Sequence, residues 1–91
     1  MMRGGQKINR MALYYYPACP YCVMVLRSME QMGLKIELRN IMADSDRRLE
    51  LIEEGGRRTV PCLRIEHDDS RVEWMYESYI IINYLRDHVT T

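Results

Sequence analysis

Apolar and polar positions change their period along the chain, and each change marks an element. Residues 11–16, Met-Ala-Leu-Tyr-Tyr-Tyr, are apolar on both faces, as in a central parallel strand, and Pro17-Ala18 turns the chain after it. Cys22, Val25, Leu26 and Met29 then recur at helical spacing, and Gly33 is placed to stop this helix with a left-handed cap. Leu34, Ile36 and Leu38 alternate with Lys35, Glu37 and Arg39, which predicts a strand with one covered face. These three segments form a β-α-β unit, whose right-handed crossover makes its two strands parallel neighbours.

Asp44 or Ser45 caps a short second helix with Leu49 and Ile52 as its apolar positions, ending at Gly55-Gly56. Leu63 and Ile65 alternate with polar residues, Asp68-Asp69-Ser70 makes a turn, and Val72, Trp74 and Tyr76 alternate again, which is a hairpin. A last helix follows Glu77-Ser78, with Ile81, Tyr84, Leu85 and His88 on one stripe. The predicted order is βαβ, helix, ββ, helix. Ninety-one residues fill one such α/β domain, spanning residues 11–91, and residues 1–10 read as a flexible polar tail.

Charge and cysteine content narrow the function classes. Thirteen basic and thirteen acidic residues cancel without a basic stripe, so neither nucleic acid nor an anionic membrane is an expected partner. The first ten residues have no apolar core, so neither a signal peptide nor a membrane span is expected there. Three cysteines are too few for a secreted disulfide framework, and the expected compartment is the reducing cytoplasm.

The candidate chemistry lies in Cys19-Pro20-Tyr21-Cys22, between the first strand and the first helix. Two thiols on the first helical turn can close a small disulfide ring and reopen it. Cys19 caps the helix and Pro20 takes its first position, where a missing N–H costs nothing. The free N–H groups and positive dipole end favour a thiolate there, so Cys19 is the expected nucleophile and the more shielded Cys22 the resolving thiol. Half of a zinc site, or two unrelated core thiols, are the plainer readings of a bare C-x-x-C. Cys62 reads as a small buried hydrophobe, with a third redox thiol, or a metal site completed with His67 and the C-x-x-C, as alternatives. Thr59-Val60-Pro61 precedes the third strand, where a proline fits the first position. A cis bond at Pro61 would turn the Val60 backbone towards the cysteines and offer its N–H and C=O to an extended peptide-like ligand.

Cys19-Pro20-Tyr21-Cys22, Arg57-Arg58-Thr59-Val60-Pro61 and Glu77-Ser78, in this order and spacing, make residues 11–88 resemble the glutaredoxin family of the thioredoxin-fold superfamily. The resemblance implies a mixed four-stranded sheet with helices on both faces. It implies a glutathione-dependent thiol–disulfide oxidoreductase, with glutathione as co-substrate and no metal. Its partners would be glutathionylated or disulfide-bonded proteins and, indirectly, the glutathione reductase system, with the protein a monomer. Cys19 and Cys22 are then the catalytic pair. Tyr21, Arg48, Thr59, Val60, Pro61, Glu77 and Ser78 are the implied glutathione-binding residues: Val60 pairs with the cysteinyl backbone, Ser78 and the helix start behind it receive the γ-glutamyl carboxylate, Glu77 holds the ammonium, and Arg48 meets the glycine carboxylate, with Arg57 and Arg58 near. An ordinary helix cap is the simpler role of Ser78.

The sequence departs from the pattern of small glutaredoxins at two places. Tyr16 stands where many members have a lysine, which leaves the helix dipole to favour the thiolate. Trp74-Met75-Tyr76-Glu77-Ser78 looks more like the N-terminal domain of glutathione transferases. Two other function classes therefore stay open: a single-domain transferase-like or glutathione-binding module, and an iron–sulfur carrier holding a cluster between two Cys19 thiolates and two glutathiones.

Overall fold

The first strand has a hydrogen-bonded neighbour on each side, which fixes the position of the dithiol segment that follows it. The computed structural model describes residues 10–88, so the tail expected over residues 1–10 lies outside the described residues except for Arg10. Arg10 donates to the carbonyls of Glu66 and His67 at 3.1 and 3.0 Å. The sheet has the order β2-β1-β3-β4, built from β1 (Met11–Tyr15), β2 (Glu37–Asn40), β3 (Cys62–Glu66) and β4 (Val72–Tyr76). β2 runs parallel to β1, β3 antiparallel to β1, and β4 antiparallel to β3. The β-α-β unit and the hairpin therefore lie where the periodicity put them.

Strand alternation divides the core in two. On one face, Met11, Leu13, Leu63 and Ile65 meet Val25 and Met29 of α1 (Pro20–Met32) and Ile81 and Leu85 of α3 (Ser78–His88). On the other, Tyr14 and Cys62 pack with Ile41 and with Leu51 of α2 (Ser45–Gly55), flanked by Trp74 and Tyr76. The result is the mixed sheet with helices on both faces that the resemblance implies. Gly33 ends α1 at φ 72° and Gly56 ends α2 at φ 84°, left-handed positions that glycine adopts without steric cost. Asp44 is the cap of α2, its carboxylate accepting from the N–H groups of Asp46 and Arg47.

Three expectations are corrected. Pairing of the second strand begins at Glu37, so Leu34 and Ile36 pack as an extended lead-in, and Leu38 at the sheet edge is half exposed. In α2 the buried position is Leu51, whereas Leu49 faces outwards. The stripe of α3 stops before His88, which is exposed and stacks on Tyr84 with ring centroids 4.4 Å apart.

The inner face of α2 is held by charge as well as by Leu51. The hydroxyl of fully buried Tyr14 donates to Glu50 in a short bond, and Arg39 Nη1 donates to Tyr14 Oη at 2.7 Å and to Glu50 Oε1 at 3.0 Å. Arg47 donates to Glu50 at 3.1 Å, and Arg39 Nε to Glu37 at 2.9 Å. The far end of the helix sits on aromatic rings: a Cβ on Gly55 would lie 2.8 Å from both Trp74 Cε3 and Tyr76 Oη. Gly55→Ala should therefore cost about 1–3 kcal/mol through overpacking, read as a lower urea midpoint at unchanged slope. A midpoint equal to wild type would show that the rings yield freely.

Candidate active site

The end of β1 and the start of α1 bring the two thiols together. Cys19 is the cap residue of α1 in extended conformation, Pro20 takes the first helical turn, and the Cys22 N–H points at the Cys19 sulfur at 3.4 Å. That sulfur thus sits at the start of the helix with one backbone donor aimed at it. Cys22, one turn in, has no exposed surface. Burial pushes its thiol up to about 12, against a smaller lowering by the Tyr16 backbone, and the neighbouring Cys19 sulfur raises it further. Both side chains are buried, Cys19 with 5% of its surface exposed at the start of the helix and Cys22 with none one turn further in.

Beside this segment lies an open cleft of about 360 Å³, bordered by Tyr21 of the dithiol loop, by Arg57, Thr59, Val60 and Pro61, and by Tyr76, Glu77, Ser78 and Tyr79. The Val60–Pro61 peptide bond is cis. Ser78 is buried at the start of α3, and the Glu77 carbonyl accepts from the Ile81 N–H at 3.1 Å. Glu77 itself holds φ 80°, a conformation that costs a residue with a side chain roughly 1–3 kcal/mol and tends to occur where a backbone serves a site.

Six of the seven implied ligand contacts, Tyr21, Thr59, Val60, Pro61, Glu77 and Ser78, border this one cleft. Arg48 does not: it is exposed on α2 and is not among the lining residues, whereas Arg57, beyond the helix end, is. The sequence reading also passed over Tyr76 and Tyr79 as site residues. Tyr79 carries a legible signal, since it is a large aromatic off the buried stripe of its helix, beside Ser78, and is 61% exposed. Tyr76 carries none, because its alternation with Trp74 reads as ordinary packing. Among the described residues no group of three His, Cys, Asp or Glu side chains could hold a metal ion, and no helix is long and apolar enough to cross a membrane.

Cys62 is fully buried next to Pro61, and burial pushes its thiol up to about 12. Cys22 and Cys62 thus bind protons when folded that the unfolded chain, with ordinary values of 9.0, releases. Their contribution to stability is complete below about pH 9 and is lost as pH rises towards 12. Urea midpoints should fall steadily from pH 8.5 to 10.5, and less so in Cys62→Ala. A flat profile would contradict the neutral buried state of these thiols.

A four-stranded mixed sheet flanked by three helices, with a dithiol at the first helix start and a cis proline before the third strand, is a thioredoxin-like fold. The glutaredoxin family's sequence model matches residues 11–69, and the chain belongs to that family. The match ends before β4, so Glu77 and Ser78 lie outside it. Similar solved structures include a delta-class glutathione transferase of Nilaparvata lugens, at TM-score 0.67 and 29% identity over 89% of this chain and 37% of that one. The maleylacetoacetate isomerase of Anaeromyxobacter dehalogenans 2CP-1, solved with dicarboxyethyl glutathione and citrate in its active site, has TM-score 0.66 and 22% identity over 87% of this chain and 36% of its own. The thioredoxin-like protein BC3987 matches at TM-score 0.63 and 22% identity over 85% of this chain and 96% of its own. The chain thus spans little more than a third of the transferase and of the isomerase. No curated protein sequence matches it.

Proposed function

We propose that the protein is a glutathione-dependent thiol–disulfide oxidoreductase in which Cys19 attacks and Cys22 resolves. The observation that carries this reading is the single cleft that joins the dithiol loop, the cis-proline segment and the start of α3. Its volume of about 360 Å³ suits a tripeptide-sized ligand, small-molecule sites running from roughly 300 to 1,000 Å³. The polar groups around it complement glutathione. The Val60 backbone pairs with the cysteinyl unit beside Thr59 and Pro61, and Ser78 with the helix start receives the γ-glutamyl carboxylate. Glu77 meets the ammonium, Tyr21 lines the wall, and Arg57 rather than Arg48 supplies the cation for the glycine carboxylate.

In the first step the Cys19 thiolate attacks the glutathionyl sulfur of a mixed disulfide. A bond forms between the two sulfurs, and the substrate leaves as its thiolate. A glutathione thiolate then attacks the glutathionyl sulfur held on Cys19, giving glutathione disulfide and restoring the Cys19 thiolate. The proton given up by glutathione is taken by the released substrate, so two electrons pass from glutathione to the substrate. With a protein disulfide, Cys19 instead becomes bonded to the protein, and Cys22 attacks the Cys19 sulfur to release the reduced protein and close the internal disulfide. In the reduced pair the Cys19 sulfur adds to the raising of the Cys22 thiol by burial, and bonding of Cys19 would remove that smaller contribution. The resolving thiol is thereby easier to ionise when it is needed.

The test is reduction of a small glutathione mixed disulfide coupled to glutathione reductase, where cofactor oxidation dependent on this protein is the expected outcome. The delta-class transferase likeness raises a competing reading. Conjugation of glutathione to an aryl halide, without disulfide reduction, would establish that reading in place of ours.

A further inference from the structure

Arg57 does not reach the cleft as a free side chain. Its guanidinium carbon lies 4.7 Å from the centroid of the Tyr76 ring. The Tyr76 hydroxyl in turn donates to the Gly55 carbonyl at 2.9 Å, two residues before Arg57. One side chain therefore grips the end of α2 through its oxygen and supports the following cation through its ring. This needs a glycine at 55, because a Cβ there would lie 2.8 Å from the same hydroxyl. Burial pushes the Tyr76 phenol up to about 12, so it remains a neutral donor through the physiological range. Tyr76 is itself anchored from beneath, opposite Cys62 in the strand register and packed on the core around Tyr14 and Leu51.

An unsupported arginine loses much rotamer freedom when it binds a carboxylate, and fixing it beforehand removes that cost from the binding step. Arg48 and Arg58, both exposed, do not border the cleft. Resting on the glutathione reading above, we propose that Tyr76 is a positioning residue for Arg57, presenting a pre-set cation to the ligand's terminal carboxylate.

Calorimetric titration with S-methylglutathione, which cannot exchange, tests this in wild type, Arg57→Ala, Tyr76→Phe, Tyr76→Leu and the Arg57→Ala/Tyr76→Leu double variant. Loss of a cation–ring support corresponds to about a 5-fold loss of affinity in Tyr76→Leu, whereas Tyr76→Phe, which keeps the ring, stays within about 2-fold. In the Arg57→Ala background the Tyr76→Leu change should add nothing, which a general structural role would not produce. The Arg57 Nε–H resonance of the wild type should also carry an upfield ring-current shift, a readout that requires no variant to fold. Unchanged affinity in Tyr76→Leu, an equal loss in both backgrounds, or an unshifted resonance would overturn the positioning role alone. Absence of any wild-type affinity for S-methylglutathione would instead remove the glutathione reading, and this proposal with it.

Discussion

Cys19→Ser should abolish reduction of a glutathione mixed disulfide, with a loss on the order of 10³-fold or more, because no other thiol can take its place at the helix mouth. Cys22 has no exposed surface and its thiol is pushed up to about 12, and Cys62 shares both properties on the opposite face of the sheet. Neither offers a thiolate to an incoming sulfur near neutral pH. Cys22→Ser should behave differently. With a small mixed disulfide the second glutathione completes the cycle, so activity stays within several-fold of wild type, whereas reduction of a protein disulfide stalls at the bond to Cys19. The coupled assay on both variants, together with mass spectrometry of the stalled adduct, reads all of this. Equal losses in the two variants would remove the division of labour proposed for the two sulfurs.

Glu50→Ala should lower stability by about 2–4 kcal/mol although it lies away from the cleft. Glu50 accepts from Tyr14, Arg39 and Arg47, and its removal takes away the acceptor of the buried Tyr14 hydroxyl, which keeps only the bond it accepts from Arg39, and leaves Arg39, 13% exposed, beside one fewer carboxylate. Burial alone pushes the Glu50 carboxyl up, but the Tyr14 hydroxyl and the two arginines outweigh it and hold it below the usual carboxylate range. The stabilisation belongs to the ionised form, so it is present above the unfolded-state value and fades as pH falls through the folded one. Glu50→Gln keeps an acceptor and should cost roughly half as much as alanine. Urea unfolding at pH 7 measures both. An alanine variant within about 0.5 kcal/mol of wild type would mean that water satisfies Tyr14 and Arg39 as well as Glu50 does.

What the sequence discloses depends on whether an element is held by apolar burial or by charge. β1, α1 and the hairpin were legible because their inward residues are apolar at the period of their element, and Gly33, Gly56 and Asp44 are punctuation with a backbone reason. α2 was misread for a physical cause: its inward face is Arg47, Glu50, Leu51 and Gly55, so three of the four residues that touch the sheet or its network are not apolar. Hydrophobic spacing pointed to Leu49, which is half exposed, while Arg48, placed from the resemblance, is not among the cleft's lining residues. The second strand was misread by a register start, because Leu34 and Ile36 pack on the core before any ladder forms. At the site, the ligand-contact residues named from the resemblance border one cleft apart from Arg48, the two cysteines lying beside it rather than in its lining, while Tyr76 was hidden because a cleft wall and a core strand use the same alternation.

Among the described residues a sheet ordered β2-β1-β3-β4 has two unpaired borders, and how they are furnished bears on whether copies of the chain can fuse into longer ribbons. One border is only four residues long and carries Glu37 and Arg39, both already engaged in ion pairs across the back of the sheet. The other bears Glu73, tied to His67 at 3.0 Å, and ends at the tight turn made by Asp69 and Ser70. Extending either border would bring charges against a new backbone or break these pairs. Such charged borders disfavour ribbon growth, with the half-exposed Leu38 as the apolar exception at the margin.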